Sequence, residues 1–218
     1  MSVSGGPNIS EDGLVLALDA ANVKSYPGSG TTWNDVSGNS NSGSLINGPT
    51  FDGGNLGSIV FDGSNDYVQT NINSSFTAMT LMGFIKRNGA QVDYAGIFSN
   101  RATSVTGIFY FTNNLGYVWN NAVNTYTFNS NLLVPNNTWC MVAMSVTSTA
   151  ATLYVNTSSA TNTVSHTSTT IDDLKLGQDD FGSRFMNGNI ANVMMYNRAL
   201  SANEIFQNFN ATRSRFGV

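Results

Sequence analysis

Aromatic rings and side-chain amides are the groups in this sequence best suited to hold a small polar molecule. Tyr117, Trp119, Asn120, Asn121, Asn124 and Tyr126 crowd into one short stretch. Aromatic faces stack on sugar rings and amides exchange hydrogen bonds with hydroxyls, so the cluster is a candidate glycan platform. On a strand, however, Tyr117 and Trp119 share one face and serve equally well as core residues; exposure of Trp119 decides between the two. Groups for covalent or acid–base chemistry are scarce. The two glutamates, Glu11 and Glu204, stand near opposite ends of the chain and cannot supply the paired carboxylates of glycoside cleavage from one strand. The one histidine, His166, lies in a Ser/Thr-rich run, and the one cysteine, Cys140, in the apolar run Trp139-Cys-Met-Val-Ala-Met144, which suits a buried structural thiol. Gly-x-Ser-x-Gly, phosphate-loop and dinucleotide patterns are missing. Eleven aspartates include the doublets Asp172-Asp173 and Asp179-Asp180, whose Gly/Asn surroundings read as turns. The chain is expected to be no enzyme and to need no cofactor.

The elements that must carry these residues are strands. The chain has 218 residues, 10% of them charged, against about 25% in an ordinary soluble domain. Thirty Asn, 25 Ser, 22 Thr and 21 Gly give instead the vocabulary of turns and β-structure. A net charge of −4 without a basic run argues against nucleic acid and anionic membranes as partners, and no apolar stretch approaches the length of a spanning helix. The N-terminus lacks the basic and apolar regions of a signal peptide, so synthesis is expected in a cytosol.

Along the chain, residues 1–12 read as an arm without periodicity. Leu14, Leu16 and Leu18 alternate as a strand, and a Gly/Ser/Asn-rich loop follows to Asp52 with Trp33 among its few apolar anchors. Strand-like runs then recur every ten residues or so up to Tyr196, including one at Thr125-Tyr-Thr-Phe128. That spacing marks a sandwich or barrel. Ser201-Ala-Asn-Glu204 has the spacing of a capping box and opens a helix near residues 201–213, with Ile205, Phe206 and Phe209 along one face.

Taken in order, Gly13-Leu-Val-Leu-Ala-Leu-Asp-Ala20, Tyr26-Pro-Gly through Trp33-Asn-Asp-Val-Ser-Gly38, Val60-Phe-Asp-Gly-Ser-Asn-Asp-Tyr67, Leu153-Tyr-Val-Asn156, and Gly188-Asn-Ile190 through Tyr196-Asn-Arg-Ala-Leu-Ser201 resemble a laminin-G-like domain of the concanavalin A-like lectin and glucanase superfamily. The resemblance implies an all-β, two-sheet antiparallel jelly-roll sandwich over residues 13–200, with one short C-terminal α-helix and tail (201–218) packed upon it.

The ending from Tyr196 to Gly217 is further similar to proteins of tailed phages. It implies a non-enzymatic virion structural protein, a capsid decoration or fibre component, made in the host cytoplasm and held among other virion proteins in a multimeric assembly. The alternative is a lectin-like module binding a glycan of the host surface. On the first reading the termini dock neighbouring subunits, with Val3, Ile9, Arg213, Arg215 and Phe216 as contacts. The family resemblance also implies a Ca²⁺ site at the sandwich rim. Asp19, Asp62 and Asp66 are the remaining candidate ligands, but Ala191 and Asn192 stand where carboxylates are expected, and Ca²⁺ needs six to eight oxygens including several carboxylates. Turn chemistry is the favoured reading of the three aspartates, and no Ca²⁺ requirement is expected.

Overall fold

The strands in this chain with long, mostly apolar runs are those buried on both faces. Cys140–Val146 is buried throughout, Met79–Arg87 at eight of nine positions and Asn187–Tyr196 at nine of ten. The computed structural model describes residues 8–218. It places these strands side by side in an antiparallel sheet ordered Ser158–Asn162, Ala151–Val155, Cys140–Val146, Met79–Arg87, Asn187–Tyr196, Ser58–Asp62 and Thr50–Asp52. Leu14–Asp19 joins the far half of Asn187–Tyr196, from Leu14 opposite Tyr196 to Asp19 opposite Asn192. A second antiparallel sheet runs Asn114–Val118, Thr106–Phe111, Gly96–Asn100, Lys175–Leu176, Tyr67–Thr70, Gly43–Ile46 and Thr32–Trp33.

Side-chain alternation divides the burial into two cores. Between the sheets lie Leu81, Ile85, Val142, Met144, Val193 and Met195 from the first sheet, facing Phe98, Ile108, Tyr110, Tyr117 and Trp119 from the second, with Trp33 fully buried among them. On the other face of the first sheet Met82, Phe84, Met141, Met194 and Tyr196 form a second core, closed by Ile205, Phe209 and Phe216. The lid of that core is the C-terminal helix, Ala202–Thr212. Its capping box forms as expected: Ser201 Oγ accepts from the Glu204 N–H at 3.3 Å while Glu204 Oε2 accepts from the Ser201 N–H at 2.9 Å. Arg198 and the Ser201 contacts hold the Glu204 carboxyl down at about 2. An eleven-residue helix does not persist alone in water, so docking on this core holds it.

The strand Asn187–Tyr196 changes partner along its length, from Ser58–Asp62 to Leu14–Asp19, and a bulge between Ile190 and Asn192 marks the exchange. The Ala191 carbonyl accepts from the Ala20 N–H at 2.9 Å and Asn192 Oδ1 accepts from the Phe84 N–H at 2.8 Å. Ala191 and Asn192 are thus both buried and structural.

The loop that follows Leu14–Asp19 folds back along its open edge. Asp35 accepts from the Ala17 N–H at 2.8 Å, and the amides of Asn39 and Asn41 donate to the carbonyls of Leu14 and Val15 at 3.1 and 2.8 Å. Similarly, Leu115 and Val134 bond to Leu132 and Asn113 and tie residues 130–134 along the edge strand Asn114–Val118.

Several expectations need correcting. Tyr117 and Trp119 are core residues, 0% and 1% exposed, because the alternation of their strand turns them inward. Tyr117 Oη accepts from Asn162 Nδ2 at 2.8 Å and lies 3.2 Å from His166 Nε2, while Trp119 Nε1 donates to the Thr167 carbonyl at 2.7 Å. His166, within its Ser/Thr-rich run, is itself buried and packs edge-on against Trp119. Where alternation suggests a strand at 125–128, a one-turn helix, Val123–Tyr126, stands instead.

The chain ends fold onto their own sandwich. Phe216, 8% exposed, stacks on Phe84 at 4.4 Å and meets Trp139 at 4.8 Å, and Arg215 pairs with Asp19 at 2.9 Å, so neither is free to anchor a neighbouring subunit. Ile9 packs against the second core. Beside it, Ser10 donates its N–H to Asn208 Oδ1 at 2.7 Å and its carbonyl accepts from Tyr196 Oη at 2.9 Å. Arg213 alone of these candidates is exposed; Val3 lies outside the described residues.

Replacing Phe216 by Ala removes the aromatic cover of Phe84 and Trp139 and is expected to destabilise the fold by about 3 kcal/mol in denaturant melts; an unchanged midpoint would show that the tail does not close the core. Burial lowers the His166 pKa from 6.5. The neutral ring therefore contributes stability that is complete above pH 6.5 and is lost as pH falls below it, where the unfolded chain gains a proton first. Melts at pH 7.5 and 5.5 should show this loss in the wild type and not in His166→Gln. The Glu204 contribution, present above its ordinary 4.5, disappears only as pH falls from there toward 2.

Candidate functional site

The outward residues of the second sheet build a cleft of about 350 Å³ on the face away from the helix. On Thr106–Phe111, Ile108 and Tyr110 point into the core, which turns Phe109 outward. On the neighbouring strand the same alternation turns Gly116 and Val118 outward. Gly116 is required there: a Cβ would come within 2.4 Å of the Phe109 ring, which lies flat across it. Phe109 and Val118 thus lie at the bottom of the cleft, themselves nearly covered at 2% and 7% exposure. Tyr94 stands beside it, 5.1 Å from Phe109 and 5.6 Å from Phe111 between ring centres. It holds a left-handed backbone with φ of 65°, fixed by donation of its N–H to the Tyr110 carbonyl at 2.7 Å.

The opposite wall is the hairpin joining Gln178–Asp179 to Arg184–Phe185, with Phe181 at its tip, 60% exposed. Gly96 allows this hairpin to cross the sheet, since a Cβ there would sit 2.3 Å from the Asp179 nitrogen. Asp179 is buried and holds two arginines. Arg101 forks onto it through Nε and Nη2, the latter at 3.0 Å, and Arg184 Nη1 donates to its Oδ2 at 3.1 Å. The Arg184 guanidinium is also 4.8 Å from the centre of Tyr94 and 4.7 Å from that of Phe181, within cation–π range of both. Val105, Asn121 and Tyr126 complete the rim.

Of the residues singled out in the sequence, Asn121 and Tyr126 reach this cleft. Asn120 instead donates to Thr167 Oγ1 and the Ser168 carbonyl at 3.0 and 2.9 Å, and Asn124 supplies a carbonyl to Asn162. Phe109, Val118 and the Arg101–Asp179–Arg184 cluster were missed. The available signal was Asp179-Asp180-Phe181-Gly182-Ser183-Arg184, which concentrates charge and an aromatic residue in a chain with nine cations.

The aspartates considered for metal are occupied otherwise. Asp19 accepts from Ala21 N and Arg215, Asp62 accepts from Ser64 N at 2.7 Å, and Asp66 accepts from Asp62 N at 3.2 Å across the same hairpin. Among the described residues no three His, Cys, Asp or Glu side chains cluster to hold a metal ion. Cys140 is buried and its thiol pushed up to about 12, so it carries no thiolate at neutral pH.

Comparison with solved structures finds the same fold in domain 4 of AbnA, a GH43 extracellular arabinanase from Geobacillus stearothermophilus, solved in complex with arabinotriose. The match has a TM-score of 0.72 and 16% identity over 91% of this chain and 99% of that one. The binding domain of Paraclostridial Mosquitocidal Protein 1 matches with a TM-score of 0.67 and 15% identity over 92% of this chain and 52% of that one. Trypanosoma rangeli sialidase, solved with sialic acid, matches with a TM-score of 0.67 and 16% identity over 93% of this chain and 33% of that one. The chain thus spans about half of the toxin structure and a third of the sialidase. No curated protein matches it in sequence. The family model Laminin_G_3 matches residues 62–206, from the Asp62 hairpin into the C-terminal helix, and with the two-sheet sandwich this establishes that the chain belongs to the concanavalin A-like lectin/glucanases superfamily.

Proposed function

We propose that this chain is a carbohydrate-binding module and that the cleft over Phe109 is its binding site. The observation that carries the reading is the cleft itself. It combines the exposed ring of Phe181 with a rim of guanidinium, amide and phenol groups from Arg101, Arg184, Asn121, Tyr94 and Tyr126. Aromatic surface for the C–H faces of a sugar beside donors for its hydroxyls is what saccharide recognition requires. The fold shared with the arabinotriose-bound arabinanase domain supports the reading.

Asp179 is the one carboxylate in the lining, and both its oxygens are engaged by arginines. Glycoside cleavage ordinarily uses two carboxyl groups about 5–10 Å apart, so the cleft is read as holding a saccharide without cutting it. The similarity of the chain's ending to tailed-phage proteins supplies a setting for such a module: the surface of a virion, where holding a host glycan assists attachment. On that setting the cleft faces the host, and Arg213 remains available to a neighbouring virion protein.

The test is a broad glycan array followed by calorimetry on the best binder, with Phe181→Ala and Tyr126→Ala as variants. Both side chains are outside the two cores, so the variants should keep the wild-type melting temperature and lose affinity at least tenfold. The proposal fails if no glycan binds, or if both variants bind as the wild type does.

A further inference from the structure

We infer that the saccharide recognised by this cleft is acidic and that its carboxylate docks on Arg184 and Arg101. The inference rests on the carbohydrate-binding reading and adds the ligand's chemical class.

The first observation is charge. The chain carries a net charge of −4, yet the cleft lining holds two guanidinium groups against one carboxylate. That carboxylate is unavailable to a ligand. Asp179 is 6% exposed, and its oxygens already accept from Arg101 Nε, Arg101 Nη2 and Arg184 Nη1. The nearby Asp180 shares Lys175, whose Nζ lies 2.6 Å away, with Asp173 at 3.4 Å, one cation for two carboxylates. Asp93, beside Tyr94, accepts from the Thr112 N–H at 2.6 Å. Within the lining itself two guanidinium groups stand against one carboxylate, and with Asp93, Asp173, Asp180 and Lys175 around it the attraction for an anion comes from the guanidinium edges and not from a net local charge.

The second observation is the balance of donors and acceptors. A guanidinium has five N–H groups. Arg101 Nη1 and both Nε and Nη2 of Arg184 have no protein acceptor among the described residues. A neutral sugar hydroxyl donates as well as accepts, and here its donor side meets few acceptors. A carboxylate only accepts.

The third observation is preorganisation. Asp179 fixes one edge of the Arg184 guanidinium, while Tyr94 and Phe181 hold its plane at 4.8 and 4.7 Å. The free Nε–Nη2 edge is left in a set direction, the geometry that binds a carboxylate through two parallel hydrogen bonds. Asp179 acts as a positioning residue, and the partial exposure of both arginines, 22% and 26%, leaves their outer edges in reach of a ligand.

Calorimetry on the full chain would compare a galacturonate trisaccharide, the neutral galactose trisaccharide and a sulfated trisaccharide, with wild type, Arg184→Gln, Arg184→Lys and the remote Arg213→Gln. The galacturonate is expected to bind at least tenfold more tightly than its neutral counterpart. That advantage should vanish in Arg184→Gln, fall in Arg184→Lys, which keeps the charge without the fork, weaken in about 0.5 M salt, roughly three times physiological ionic strength, and persist in Arg213→Gln. Circular dichroism confirms that each variant is folded. Equal binding of the neutral sugar, unaffected by Arg184→Gln, overturns the acidic specificity and leaves the carbohydrate reading intact. Tighter binding of the sulfated sugar overturns the carboxylate in favour of a sulfate ester. Absence of binding here and across the array overturns both.

Discussion

Burial of the central strands on both faces is the constraint on which the rest of the structure depends. Met79–Arg87, Cys140–Val146 and Asn187–Tyr196 bury one row of side chains against the second sheet and the other under the C-terminal helix. With apolar residues on both faces along most of their length, they must be covered twice. Each buried aliphatic or aromatic side chain contributes about 1.5–3 kcal/mol relative to exposure, so the helix and tail are integral to the fold. The same double cover closes the central part of the first sheet's outer face, while the second sheet's outer face carries the cleft.

Much of this was legible in the sequence, for physical reasons that also define where legibility ends. A capping box is local: Ser201 and Glu204 find each other within one turn, and the helix starts where they stand. Strand alternation is local too, and it placed Tyr117 and Trp119 on a common face. Which face points inward is settled only by pairing with Thr106–Phe111, and that pairing made them core and turned Gly116 and Val118 toward the cleft. The site's charged cluster lies beyond local reading. Arg101 meets Asp179 across 78 positions because Lys175–Leu176 pairs with Gly96–Asn100 and because Gly96 lacks a side chain where the hairpin crosses. Likewise the apolar character of Phe216 was evident, but that it covers Phe84 and Trp139 of its own chain follows from the path of the tail.

The abundance of asparagine has a structural use that composition does not reveal. Asn39 and Asn41 satisfy carbonyls along the open edge of Leu14–Asp19, and Asn192 and Asn208 satisfy backbone donors at the bulge and at Ser10. A side-chain amide both donates and accepts without carrying charge, so it can complete a ladder at an edge or inside a core where an ion would be costly. The left-handed backbone at Asn47, Asn113, Asn120, Asn131, Asn137 and Asn156 shows the residue's second use, in tight turns. Edges closed from within, as at Leu14–Asp19 and Asn114–Val118, leave less for a second sheet to pair with.

The position of the two chain ends has a consequence for how the domain works beside other proteins. Asn8 through Asp12 lie against the C-terminal helix, Gln207 donating to the Asn8 carbonyl, and the tail closes over the same core. The described chain from Asn8 and the tail to Val218 therefore both lie on the helix side, with the thickness of the sandwich between them and the cleft. An anchor joined after Val218 would hold the domain from behind, with the Tyr94–Phe181 mouth facing outward.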